Sequence, residues 1–185
     1  MLAVSLNPFP TLETERLVLR QVMEKDVPQL FQLRSDWRIM KYIDKPLMQS
    51  EDDAMAMLQR IQQLERKDEG INWAITLKGE DVLLGTVGLF SFNKEHHRCE
   101  IGYMLYPDYQ RRGIVQEALD ATIAHAFRVF RFHSIEANVN PENEISIKLL
   151  EKYGFVREAY FKENFYHNGQ FLDSAIYSLL CHKWL

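Results

Sequence analysis

The sequence predicts an α+β fold: a mixed, mostly antiparallel central sheet flanked by helices on both faces, in a single domain over residues 1–185. Three observations lead there. Between Ile71 and Tyr106 the runs INWAITLKGEDVLLGTVGLFSF and HRCEIGYMLY are β-rich and broken only by short turns, as in an antiparallel meander. From His97 to Tyr153 strand-like and helix-like segments alternate, and that series demands a parallel crossover. Asn168-Gly169 then stands between two further β-rich runs, the strongest short hairpin signal available.

Each element has its own local cause. RLVLRQV, Arg16 to Val22, is a β-rich run suited to a first strand. Asp26 is placed to cap the helix VPQLFQLRSDW, with Pro28 in the first turn where its missing N–H costs little. Ser50 and Asp53 form a capping-box pattern before Met55, Leu58, Ile61 and Leu64, which recur at helical spacing up to about Arg66. The turn Lys78-Gly79-Glu80-Asp81 joins the first two meander strands. In the third, Cys99, Ile101, Tyr103 and Leu105 share one face and Arg98, Glu100, Gly102 and Met104 the other. A mostly apolar helix follows Gly113 to about Val129, then the strand HSIEANV, then a helix from Glu144 to about Tyr153 that Gly154 stops.

Composition excludes several function classes. With 46% hydrophobic and 26% charged residues the chain has a globular balance and no long membrane-spanning run. A net charge of −4 argues against a nucleic-acid binder. MLAVSLNPFP lacks the basic start and apolar core of a signal peptide, so a cytoplasmic location is expected. Cys99 and Cys181 have no CxxC spacing and read as reduced thiols packed in the core. Adjacent histidines on a strand point to opposite faces, so His96 and His97 do not grip one metal and read as turn or strand-edge residues, and His125, His133, His167 and His182 lack ligand spacing; no metal is expected.

The chemistry concentrates in YQRRGIVQEAL, Tyr109 to Leu119. It lies between the third meander strand and the apolar helix, so its amides surround a helix N-terminus, which carries about half a positive charge and unpaired N–H groups. Arg111 and Arg112 add charge, and Gly113 lets a bulky phosphate approach the backbone. A phosphate-bearing ligand follows. Neither GxxxxGK[ST] nor GxGxxG is present, which removes the two commonest nucleotide signatures.

Gln110-Arg111-Arg112-Gly113-Ile114-Val115 resembles the Q/R-x-x-G-x-G/A motif of the GNAT superfamily of acetyl-CoA-dependent N-acetyltransferases, with Val115 in place of the usual small residue. RLVLR, LLGTVGL, CEIGYMLYPDYQRRG, NVNPENEISIKLLEKYGFVREA and NGQFLDSAIYSLL extend the likeness, in order, from about Thr14 to Leu180. Together they are similar to the RimJ/RimL branch of ribosomal-protein N-terminal acetyltransferases.

The resemblance implies a GNAT fold and a loop whose amides hold the coenzyme A pyrophosphate. It implies direct acetyl transfer from acetyl-CoA to a primary amine. Such transfer needs a neutral amine, a stabilised oxyanion and a proton for the departing thiolate. Glu100 is the candidate base, or else an ordinary glutamate paired with Arg98 or a neighbouring strand. A backbone N–H near Met104 or Leu105 is the implied oxyanion donor. Asn143 and Ser146 match an N-x-x-S pattern whose members contact the pantetheine arm, with Ser146 a candidate acid and Asn143 equally an N-cap. The family's catalytic tyrosine stands four residues before Gly154, where this chain has Leu150, so Tyr153 reads as core or cofactor wall. Trp37, Tyr42, Trp73, Phe90, Phe92 and Tyr166 are core by default, with some from the first helical region and the closing hairpin available to an acceptor groove. The implied acceptor is a protein N-terminal amine, as on a ribosomal protein. The rivals are a small amine (polyamine, amino acid or aminoglycoside) and a non-catalytic acyl-CoA-binding module. Monomer and homodimer are both compatible with the composition.

Overall fold

The computed structural model describes residues 1–184. In chain order its elements are β1 (Leu12–Glu13), β2 (Leu17–Gln21), α1 (Val27–Ser35), α2 (Trp37–Met40), α3 (Glu51–Arg66), β3 (Ile71–Leu77), β4 (Glu80–Asn93) and β5 (Arg98–Leu105). They continue as α4 (Ile114–Arg128), β6 (Ser134–Val139), α5 (Glu144–Lys152), β7 (Val156–His167), β8 (Gln170–Leu180) and α6 (Cys181–Trp184). The strands form one eight-stranded sheet in the order β1-β2-β3-β4-β5-β6-β8-β7. Every neighbouring pair is antiparallel except β5 and β6, the parallel crossover that α4 makes.

The two faces of the sheet carry separate cores. Leu17, Leu19, Trp73, Val87, Leu89, Ile101 and Ile135 pack against Ala118, Leu119, Ile123 and Phe127 of α4 and Leu150 of α5. On the opposite face Ala74, Leu83 and Met104 meet Val27, Leu30 and Leu33 of α1 and Ala54 and Leu58 of α3. Strand alternation sends Leu105 to the first core and Met104 to the second.

Three local expectations are corrected. Asp26 does not cap α1: its carboxylate accepts from both Nη atoms of Arg20 (2.7 and 2.8 Å) and from the Met23 amide (2.8 Å), because a buried acid is better satisfied by a guanidinium fork. The first helix also stops at Ser35, and Asp36, extended at ψ 112°, caps a new short helix by accepting from the Arg38 amide at 2.9 Å. In α3 the buried stripe is Ala54, Leu58, Ile61 and Glu65, with Leu64 on the exposed side. The Glu65 carboxylate there accepts from Gln21 at 2.8 Å. His96 and His97 lie in the turn between β4 and β5, as expected. The Ser50–Asp53 cap holds, since the Asp53 carboxylate accepts from the amides of Gln49 (2.8 Å) and Ser50 (3.2 Å).

One feature of the register opens the molecule. β5 and β6 pair only from Arg98 with Ser134 to Glu100 with Glu136, although β5 runs on to Leu105 and β6 to Val139. Beyond that point the strands part, and their carboxyl ends leave a gap in the middle of the sheet.

Candidate active site

The loop between β5 and α4 is built to present amides. Gln110 donates through Nε2 to the Leu105 carbonyl at 3.1 Å, tying the loop back to the strand end. Arg111 at φ +60° and Gly113 at φ +75° are both left-handed, and Gly113 is the residue capping α4. A glycine cap has no side chain to satisfy the first turn. The backbone N–H groups from Arg111 to Gln116 accordingly find no acceptor among the described residues. That array, at a helix N-terminus and with the exposed Arg111 and Arg112 beside it, suits a polyanion. Ile114 is buried and Val115 packs against the α4 core, so the branched side chain at 115 is partly turned away from the amides.

A second chain segment locks this loop. Glu117, in the first turn of α4, accepts from Thr14 Oγ1 (2.5 Å), the Arg16 amide (2.7 Å) and Arg16 Nε (2.6 Å). Arg16 Nη1 also donates to the Arg112 carbonyl at 3.0 Å. The Arg112 guanidinium lies over the Tyr109 ring, 5.4 Å from its centroid.

The gap between β5 and β6 opens into a cleft of about 310 Å³. Glu100 lines it at the last paired position. Burial raises the Glu100 carboxyl above its ordinary value and Glu136 across the strand pair adds to the shift, against hydrogen bonding to Ser91 and the field of Lys45. Arg98 is no partner for it, since it binds Glu136 at 2.5 Å. Farther along β5, Tyr106 donates its amide to the Leu84 carbonyl at 3.0 Å. Amides alternate sides along a strand, so Met104 also faces β4, while those of Tyr103 and Leu105 face the gap. Of the two candidate oxyanion donors, only the Leu105 N–H points to the gap side of β5, although Met104 is the one of the two residues that lines the cleft.

On the other wall Asn143 caps α5, its Oδ1 accepting from the Ser146 amide at 3.2 Å. The Ser146 hydroxyl lies 2.7 Å from the Tyr103 hydroxyl, which reaches across from β5. Burial raises the Tyr103 phenol and the Ser146 contact moderates it. Tyr103 was expected only as a face residue of its strand. Its spacing two residues before Leu105 was the available signal, but nothing in the sequence brings it to Ser146. Leu150 is buried and lines the cleft, while Tyr153 donates to the Gln116 carbonyl at 2.7 Å and so braces α5 against α4.

The far end of the cleft is walled by Arg34, Tyr42, Ile43, Lys45 and Phe90. The Phe90 ring folds over Gly88, where a Cβ would stand 2.4 Å from its Cζ. Tyr42, from the first helical region, lines the cleft as expected, and Phe90 of β4, read as core, lines it too. Trp73 is fully buried and donates to the Pro10 carbonyl at 2.6 Å, and Phe92 packs on Phe130 and Phe132. Trp37 and Tyr166 are exposed, the latter packed at a 56° tilt against Phe171 with centroids 5.0 Å apart, and no residue of the β7–β8 hairpin lines the cleft.

Comparison with known proteins gives the family. A family profile described as "Acetyltransferase (GNAT) domain" matches residues 16–156. The chain is 33% identical over 172 residues to the uncharacterized N-acetyltransferase YoaA of Bacillus subtilis (strain 168), covering 93% of this chain and 97% of that one. It is 27% identical over 185 residues to the [Ribosomal protein uS5]-alanine N-acetyltransferase of Escherichia coli (strain K12), covering 96% and 94%. Among solved structures, a spermidine N-acetyltransferase from Vibrio cholerae in complex with CoA and spermine superposes with a TM-score of 0.82 at 23% identity, over 92% of this chain and 99% of the other. The sheet gap, the amide-lined loop and the profile over most of the chain converge: the protein belongs to the GNAT family and is an acetyltransferase.

Proposed function

We propose that the protein binds acetyl-CoA through the Gln110–Val115 loop and moves the acetyl group directly to a primary amine, with a protein N-terminal amine as the acceptor class. The observation that carries this reading is the run of acceptor-free amides from Arg111 to Gln116, opening beside the strand gap that leads to Glu100. GNAT enzymes use acetyl-CoA, and the residues here fit it. The loop amides with Arg111 and Arg112 would hold the pyrophosphate, and Leu105, Asn143 and Ser146 would border the pantetheine arm. Bound there, the cofactor supplies an acetyl thioester.

The chain's own groups have distinct tasks. Glu100, made more basic by burial, takes the proton from the incoming ammonium, directly or through water. The Leu105 N–H donates to the oxygen on which negative charge develops. Ser146, backed by the Tyr103 hydroxyl, delivers a proton to the departing sulfur. Cys99 and Cys181 do not line the cleft, in keeping with transfer that needs no acyl-cysteine.

The similarity to a ribosomal-protein N-acetyltransferase supports the protein acceptor, and the spermidine enzyme of the same fold motivates a small-amine alternative. Family membership favours either over a non-catalytic binder. We place the protein in the cytoplasm, and no helix among the described residues is long and apolar enough to cross a membrane. Calorimetric titration with acetyl-CoA, followed by thiol release against N-terminal peptides and small amines, tests the reading. Binding that weakens in R111A/R112A and with added salt, together with release on peptides, is expected. Binding unchanged by the double substitution would place the pyrophosphate elsewhere.

A further inference from the structure

We infer that Arg34 and Lys45 form an anion-binding subsite in the acceptor half of the cleft, so that the amine this enzyme acetylates carries a carboxylate near its amino group. The inference rests on the reading that the amine enters beside Glu100, and it deepens that reading by naming the acceptor's chemistry.

Arg34 stands in the last turn of α1, and Lys45 follows α2 in the segment that also brings Tyr42 and Ile43 to the cleft wall. Four arginines make ion pairs: Arg16 binds Glu117, Arg20 binds Asp26 and Asp81, Arg38 binds Asp36 and Arg98 binds Glu136. The others are exposed to solvent except Arg34, which is half-buried. Among the described residues it makes no ion pair, and its Nε is buried without any hydrogen-bond acceptor. Burial alone lowers its affinity for a proton, with no anion beside it to compensate, yet a guanidinium stays charged. Lys45 is likewise without an ion pair among the described residues.

A half-buried cation that lacks a partner in the protein and faces a substrate cleft is satisfied by the substrate. The guanidinium fork matches a carboxylate in two parallel hydrogen bonds. The charged residues lining the cleft are then two cations, Arg34 and Lys45, and one anion, Glu100. A ligand with one ammonium and one carboxylate complements that set. A polyamine does not: once Glu100 has met its first ammonium, the remaining ones face Arg34 and Lys45. The carboxylate has two sources, the α-carboxyl of a small amino acid or an acidic side chain just behind a peptide's amino terminus.

Matched acceptors separate these. Initial rates of thiol release are measured for free amino acids against their C-terminal amides, for tetrapeptide amides with Asp or Glu against Asn or Gln at the second position, and for spermidine. The carboxylate member of one pair is expected to have a kcat/KM about 100-fold higher, mainly through KM, and the pair showing it identifies the source. In R34M that ratio collapses toward one, and R34K restores part of it. Equal rates within every pair, a preference for spermidine, or a ratio that survives in R34M would overturn the subsite while leaving acetyl transfer intact. If no amine releases thiol, acetyl transfer itself fails, and titration with N-acetylamino acids still decides: binding lost in R34M supports the subsite, and no binding to the parent protein overturns it.

Discussion

The hydroxyls of Tyr103 and Ser146 lie 2.7 Å apart, joining β5 to α5 across the gap in the sheet. This pair stands where Leu150 removes the family's usual tyrosine from the wall of the cleft. If it delivers a proton as a unit, S146A and Y103F should each lower kcat by about 10-fold with acetyl-CoA affinity nearly unchanged. The double substitution should cost less than the product of the two, because the second removes a partner already lost. Steady-state rates of the four proteins close the cycle.

Glu100 predicts an inverse relation between stability and activity. Its folded carboxyl binds a proton more tightly than the unfolded one, through burial first and Glu136 second. The folded state then holds the extra proton, so this group's contribution falls as pH rises from the unfolded value of about 4.3 through the raised folded one. E100Q should therefore melt above the parent at pH 8, by a few degrees, and the difference should shrink toward pH 4. Melting curves across that range check the sign.

Glu117 has the opposite linkage. Burial works against its charge, but hydrogen bonds from Thr14 and from the Arg16 backbone and side chain outweigh that and hold it below the ordinary glutamate value. Its stabilisation is present above the unfolded value and is lost as pH falls through the folded one. E117A should cost about 1–3 kcal/mol, lowering Tm by several degrees at pH 7, and should weaken acetyl-CoA by freeing the loop that Arg16 holds at the Arg112 carbonyl. Calorimetry from pH 7 downward should show the penalty largest at pH 7 and shrinking once the pH falls below the ordinary glutamate value toward the lowered folded one.

Gly113 is the sharpest test of the amide array. At φ +75° an added Cβ meets both the left-handed backbone penalty, about 1 kcal/mol, and Arg16 Nη2 at 3.3 Å. G113A should bind acetyl-CoA at least about 10-fold more weakly while the sheet's circular dichroism stays unchanged.

Legibility in the sequence followed the range of the interactions. The meander, the crossover and the Asn168-Gly169 hairpin were readable because turn chemistry and period-2 patterning act over a few residues. So were the placement of Gln110 to Val115 before a helix and the capping geometry of Asn143. Asp26 misled because Arg20, only 6 residues earlier in the chain, outcompetes a free helix amide once β2 has formed. The Tyr103–Ser146 contact spans 43 residues, and Arg34 becomes conspicuous only when the fold shows its Nε buried without an acceptor in the cleft wall. The choice between the Met104 and Leu105 amides needed the register, since a shift of one residue reverses which of them faces the gap.

The most direct test of the central claim is single-turnover thiol release by the parent and by E100Q, each saturated with acetyl-CoA and mixed with one productive amine. Equal cofactor affinity with release slowed by about 100-fold in E100Q, the deficit narrowing as pH rises and the amine deprotonates in solution, is the predicted result. Equal release rates in the two proteins would remove Glu100 from the chemistry and with it the placement of the amine in this cleft.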